Sequence, residues 1–175
     1  MRDDGYVRRT AGFSLLEVLV VLVLIGITAM IVTSASTAAR LRTELRSTAR
    51  EVAAFLEEAR EVAGQRGETV AVRWNAQART FELGIADAAG FSVLRRLTLR
   101  RGMVVAAIDW PSVSGYPTVS CDPLGRAVEG GAMATQPRSL ELTAEAMQAG
   151  SVTPAQVYRI TVFPVWRARP LRLGT

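Results

Sequence analysis

Residues 12–32 read Gly12-Phe13-Ser14-Leu15-Leu16-Glu17-Val18-Leu19-Val20-Val21-Leu22-Val23-Leu24-Ile25-Gly26-Ile27-Thr28-Ala29-Met30-Ile31-Val32, an apolar run with one carboxylate, Glu17, near its start. A continuous run of this kind reads as a bilayer-spanning helix, which takes about 20 apolar residues. An ionised carboxylate in hydrocarbon costs roughly 2.5–3.5 kcal/mol even on lenient insertion scales, so Glu17 is retained only where something answers its charge. A partner lies close by in the sequence. A short leader containing Arg2, Arg8 and Arg9 precedes Gly12-Phe13, and a cut between Gly12 and Phe13 frees an α-ammonium about one helical turn from Glu17.

This constellation resembles the N-terminus of type IV prepilins and type II secretion pseudopilins. The resemblance implies that a prepilin peptidase cuts after Gly12 on the cytoplasmic side and N-methylates Phe13. It also implies that Glu17, the fifth residue of the mature chain, pairs with the terminal amine of a neighbouring subunit as the helix leaves the bilayer for a filament. Such a pair interacts far more strongly in low dielectric than in water, although desolvation offsets much of the gain. Two plainer readings account for less. A secretory signal peptide has an uncharged apolar core of about 7–15 residues and then a small-residue cleavage site. Residues 33–39 imitate that site, but the apolar run begins beside Glu17 and the helical pattern continues beyond it. A plain single-span anchor would leave Glu17 merely sitting at the interface. The flanking arginines do not set the orientation, because Arg2, Arg8 and Arg9 are matched by Arg40, Arg42 and Arg46 on the far side. A cytoplasmic N-terminus with a periplasmic C-terminal domain, anchored in the bacterial inner membrane, therefore rests on the resemblance.

Beyond the apolar run the helical period persists. Leu41, Leu45, Ala49, Val52, Phe55, Leu56, Ala59, Val62 and Ala63 follow the three-and-four spacing of one face, with Arg42, Arg46, Arg50, Glu57, Glu58 and Arg60 on the remainder. The pattern predicts one helix over residues 13–63, closed by Gly64 and Gly67 and uninterrupted by proline. From residue 68 the period becomes alternating. Strands are expected at 69–74, 79–85, 91–100 and 103–110 as a meander, with further strands at 118–121, 138–143, 158–163 and 166–173 and an exposed loop over 145–156. The chain thus divides into a leader at 1–12, a transmembrane or filament-core half helix at 13–35, an amphipathic half at 36–66 and a β-rich domain at 67–175. The fold class is α+β, a long N-terminal helix packed on an antiparallel β-rich domain, with room for one globular core.

Composition argues against catalysis. The 175 residues include no His and one Cys, which removes the usual zinc and copper ligand sets and the His-dependent triads. No nucleophile–base pair or paired-carboxylate motif is evident, and nothing resembles the acidic calcium loop of major pseudopilins, so the expectation is no enzyme activity, no cofactor and no metal. Cys121 cannot form an internal disulfide and reads as a small buried residue. All 21 basic residues are arginine, a bias that with the abundant alanine reflects base composition rather than a binding signal.

The long helix and its β-domain look most like the minor pseudopilin H family of the type II secretion system and its relative among the minor pilins of type IV pilus systems. The implied role is structural. Subunits would be drawn from the membrane by an inner-membrane assembly platform and packed with other pseudopilins into a short pseudopilus that drives export across the outer membrane. The alternative is a type IV pilus minor pilin acting in pilus assembly or DNA uptake, and the processing signal is common to both. For DNA binding the candidates are Arg167, Arg169 and Arg172, beside Trp166, since arginine and tryptophan suit phosphate contact and base stacking. Against this, alternation along a strand would make Arg167 and Arg169 simply its solvated side.

Overall fold

The computed structural model describes residues 14–87, 90–145 and 156–173, with the side chains of residues 30–38 outside that description. It begins with one long helix, α1 (Leu15–Arg66). By its contacts the chain forms two units, residues 1–39 and 40–175.

In the first unit, every large apolar side chain from Leu15 to Ile27 is about half exposed or more, from 47% at Val21 to 83% at Leu15. A helix apolar on all sides has no solvated face to offer and must be covered by lipid or by other helices. Its one described hydroxyl, Thr28 Oγ1, donates back to the carbonyls of Leu24 and Ile25 at 2.9 Å, so it asks nothing of the surroundings. Among the described residues no helix is long and apolar enough to cross a membrane. The described apolar side chains stop at Ala29, roughly 22 Å from the helix start at 1.5 Å per residue, while Met30, Ile31 and Val32 continue the run in sequence.

In the second unit, the three-and-four spacing does what it predicts. Leu45, Ala49, Val52, Leu56, Ala59 and Ala63 are fully buried, and Gly67, at φ 68°, takes the left-handed conformation that ends the helix. Gly64 lies inside α1, which runs three residues beyond the expected end. Two antiparallel sheets meet this face. The first runs β3 (Gly90–Thr98), β2 (Thr80–Asp87), β1 (Val70–Asn75), β6 (Tyr116–Cys121), β7 (Ala127–Glu129) and β8 (Ala132–Met133), with β5 (Ser112–Val113) paired to β6. The second runs β11 (Ala168–Leu173), β10 (Val157–Val162), β9 (Arg138–Ala144) and β4 (Met103–Ile108). Alternation decides the inner faces: Val70, Val72 and Trp74 of β1 enter the core while Arg73 turns out.

Two expectations are corrected here. The meander ends at β3, because β4 crosses to the second sheet and pairs with β9. Gln156, placed by sequence in an exposed loop, is 2% exposed and accepts from Arg42 and Arg172; residues 146–155 of that loop lie outside the described set.

One side chain ties the layers together. Trp166, fully buried, donates from Nε1 to the Leu56 carbonyl at 2.7 Å, and its backbone N–H donates to the Gly125 carbonyl at 2.9 Å. The helix, the 122–126 turn and the β10–β11 connection are thereby fastened at one point. On the opposite flank of α1, Glu51 pairs with Arg100 at 3.3 Å and Glu58 with Arg95. These are exposed pairs, worth little each.

Candidate functional site

The motif at the start of the chain is partly visible. Gly12 and Phe13 lie outside the described residues. Ser14 precedes the helix: its Oγ accepts from Leu16 N at 3.3 Å, and its carbonyl accepts from Glu17 N at 2.9 Å and Val18 N at 3.2 Å. Ser14 therefore acts as an N-cap, and Ser14-Leu15-Leu16-Glu17 has the spacing of a capping box. Glu17 falls in the first turn, where the helix dipole favours a carboxylate, and its side chain is exposed. The geometry thus sets Glu17 at the helix N-terminus with its side chain open to a partner. The cap was missed from sequence, although serine three residues before glutamate is its usual signature.

The three C-terminal arginines do not act together. Arg167 and Arg169 are both exposed, but β11 begins at Ala168, two residues later than the sequence predicts, so Arg167 precedes the strand and alternation does not set its face. Arg172 lies on the other face, directly opposite Tyr158 in the β10–β11 register. There it lines a groove of about 450 Å³ with Arg46, Arg50, Tyr158 and Pro170. The amide oxygen of Gln156, in the orientation that satisfies its neighbours, accepts from Arg42 Nε at 3.2 Å and Arg172 at 2.9 Å. Four guanidinium groups from α1 and β11 converge on this seam. In sequence Arg42, Arg46 and Arg50 fall outside the apolar face of the helix, and their four-residue spacing is the signal that groups them.

Farther along the same seam, the segment 122–126 forms a rigid turn. Asp122 accepts from Leu124 N at 3.0 Å, Arg126 N at 2.8 Å and Arg126 Nε at 2.7 Å. Burial pushes its carboxyl up, but the Arg126 backbone and guanidinium bonds outweigh that and hold it below the usual range. Gly125, at φ 74°, passes so close to α1 that a Cβ would meet Arg60 Nε at 2.8 Å. Next to the turn, Cys121 is fully buried, as expected from sequence; burial first and the Asp122 charge second push its thiol up to about 12, so it is neutral and inert. Among the described residues no group of three or more His, Cys, Asp or Glu is placed to hold a metal ion.

Comparison with known proteins places these features. A family model described as the prokaryotic N-terminal methylation motif matches residues 7–33, the segment that contains Gly12, Phe13 and Glu17. No curated protein sequence matches the chain. In fold the chain is similar to the minor pseudopilin EpsH from the type 2 secretion system of Vibrio cholerae, with TM-score 0.56, 16% identity, and 75% of this chain and 99% of that one covered. It is equally similar to the type IV minor pilin FimU of Pseudomonas aeruginosa, with TM-score 0.56, 15% identity, and 74% and 90% covered. The motif and the fold agree with each other: the architecture is type IV pilin-like, a long N-terminal helix on antiparallel sheets.

Proposed function

Starting from a prepilin methylation motif on a type IV pilin-like fold, we propose that the protein is a structural minor pseudopilin of a type II secretion system. Prepilin peptidase cuts between Gly12 and Phe13 and methylates Phe13. The helix then waits as a single inner-membrane span, N-terminus cytoplasmic and β-domain periplasmic, until an assembly platform delivers it into a short pseudopilus. The subunit does no chemistry. The observation that carries this reading is the helix itself: a processing motif joined to side chains from Leu15 to Ile27 that are all about half exposed or more, with Glu17 as the only charge among them. Packing these helices against one another buries that surface through close contact, and a neighbour's terminal ammonium answers Glu17.

The test is the extracellular proteome of a strain lacking the protein, compared with the same strain complemented by the wild-type gene. Folded exoproteins held in the periplasm and released on complementation support secretion. An unchanged exoproteome points instead to a minor pilin of a type IV pilus, whose solved example FimU fits the fold as well. Within that second reading, DNA binding by the C-terminal arginines has the exposure of Arg167 and Arg169 in its favour and the turn of Arg172 into the α1 seam against it. Retention of DNA by the domain should then fall steeply with salt and with Arg167, Arg169 and Arg172 changed to Ala.

A further inference from the structure

Guanidinium groups elsewhere in the domain are matched by carboxylates: Arg73 and Arg96 by Glu82, Arg138 by Glu129 and Arg159 by Glu141. The groove between α1 and β11 is different. Arg46, Arg50 and Arg172 are exposed and line it with Tyr158 and Pro170, and among the described residues no carboxylate meets any of the three. The sequence offers none nearby: residues 146–155, which lead into Gln156, contain no Asp or Glu. On α1 the next acid along the same stripe is Glu57, seven residues and about 10 Å beyond Arg50, and one of its oxygens is taken by Ala168 N–H. The groove is also braced from beneath. Gln156, 2% exposed, accepts from Arg42 Nε at 3.2 Å and from Arg172 at 2.9 Å, which gathers positive charge from two elements and neutralises none of it.

We infer that this groove binds a phosphate ester. A carboxylate is planar, and a single guanidinium fork takes up both of its oxygens. A phosphate directs its oxygens to the corners of a tetrahedron, so it can accept from Arg46 and Arg50 on α1 and from Arg172 on β11 at the same time. The organic part of the ligand lies against the Tyr158 ring and Pro170, the uncharged walls of the groove. Register places these walls beside the cations: Tyr158 is directly opposite Arg172, and Pro170, two residues before Arg172, shares its face. The same chemistry comes from two sources, the headgroup of an anionic phospholipid and a soluble phosphate ester. The site uses none of Gly12, Phe13 and Glu17, so it stands or falls apart from the secretion reading.

The test uses the full chain purified in dodecyl maltoside and titrated calorimetrically with glycerol phosphate, with dihexanoyl-phosphatidylglycerol and with succinate. At least one phosphate probe is expected to bind, and succinate to bind about tenfold more weakly or worse. R46Q/R50Q and, separately, R172Q should each weaken the phosphate probe about tenfold, the loss of a charge-assisted hydrogen bond. R66Q, which removes an exposed arginine in the last turn of α1, should leave binding unchanged. All four side chains are exposed, so the near-UV circular dichroism of each variant should stay that of the wild type. Binding of glycerol phosphate assigns a soluble ester, and binding of the lipid alone assigns the headgroup. The inference is overturned if neither phosphate probe binds, if succinate binds as tightly, or if R66Q weakens binding as much as R172Q does. A short DNA duplex that binds through Arg46 and Arg172 while neither small probe binds also overturns it, and gives the groove to nucleic acid instead.

Discussion

Replacing Trp166 tests whether the seam is fastened as described. The indole is 0% exposed and its Nε1 donates to Leu56 O at 2.7 Å. Truncation to Ala removes the largest fully buried side chain of the domain and leaves a cavity among α1, the 122–126 turn and the second sheet; the expected loss is about 4 kcal/mol, within the range for buried aromatic-to-alanine changes. Trp166→Phe keeps most of the apolar volume and loses the hydrogen bond, worth about 1 kcal/mol net, together with part of the packing, for about 2 kcal/mol in all. Urea unfolding of the detergent-solubilised chain, followed by near-UV circular dichroism, measures both. A Phe variant as damaged as the Ala variant would show that the hydrogen bond and not the packing dominates. A loss below about 1 kcal/mol for Ala would mean that Trp166 is not the fastening point.

Three further outcomes follow from named contacts. Asp122 has its carboxyl held below the usual range, so its stabilisation is full above the unfolded value near pH 4 and is lost as pH falls through the folded one; D122N should be less stable at neutral pH, with the gap to wild type closing in acid unfolding scans. Gly84 sits at the β2–β3 irregularity, where a Cβ would meet Ser92 O at 2.3 Å and the Phe91 ring at 2.6 Å, so Gly84→Ala should cost about 1–3 kcal/mol in the same denaturation assay, and a neutral variant would refute the close approach. Glu17→Ala should still be cleaved, shown by the shift of the mature band, yet be missing from the assembled filament fraction; normal incorporation would sink the charge-pair account of Glu17.

What could be read without coordinates depended on period. The helix was legible because its apolar residues from Leu45 to Ala63 repeat at three and four, and the longer strands because their residues alternate. Its end was less so: Gly64 and Gly67 look alike in sequence, and only Gly67 takes a positive φ. Alternation says which side chains face inward but not which strand lies alongside, which is why β4 was read as the next strand of a meander and is instead the partner of β9. Strands of two or three residues such as β5, β7 and β8 are too short to show any period. The same rule that separates faces split the arginine tail: Arg169 and Arg172 are close in sequence and point opposite ways, so the basic groove is assembled from α1 and β11 together. Gln156 was unreadable because a buried amide is decided by its tertiary partners.

The central claim is that the apolar helix is the processed, filament-forming arm of a pilin-like subunit, and the most direct measurement is the mass of the mature N-terminal peptide from membranes of the native host. The account predicts a chain that begins at Phe13 with a methylated α-amine, and a precursor that persists when the peptidase is removed. A chain that still begins at Met1, or one cut in the small-residue stretch 33–39, would contradict it.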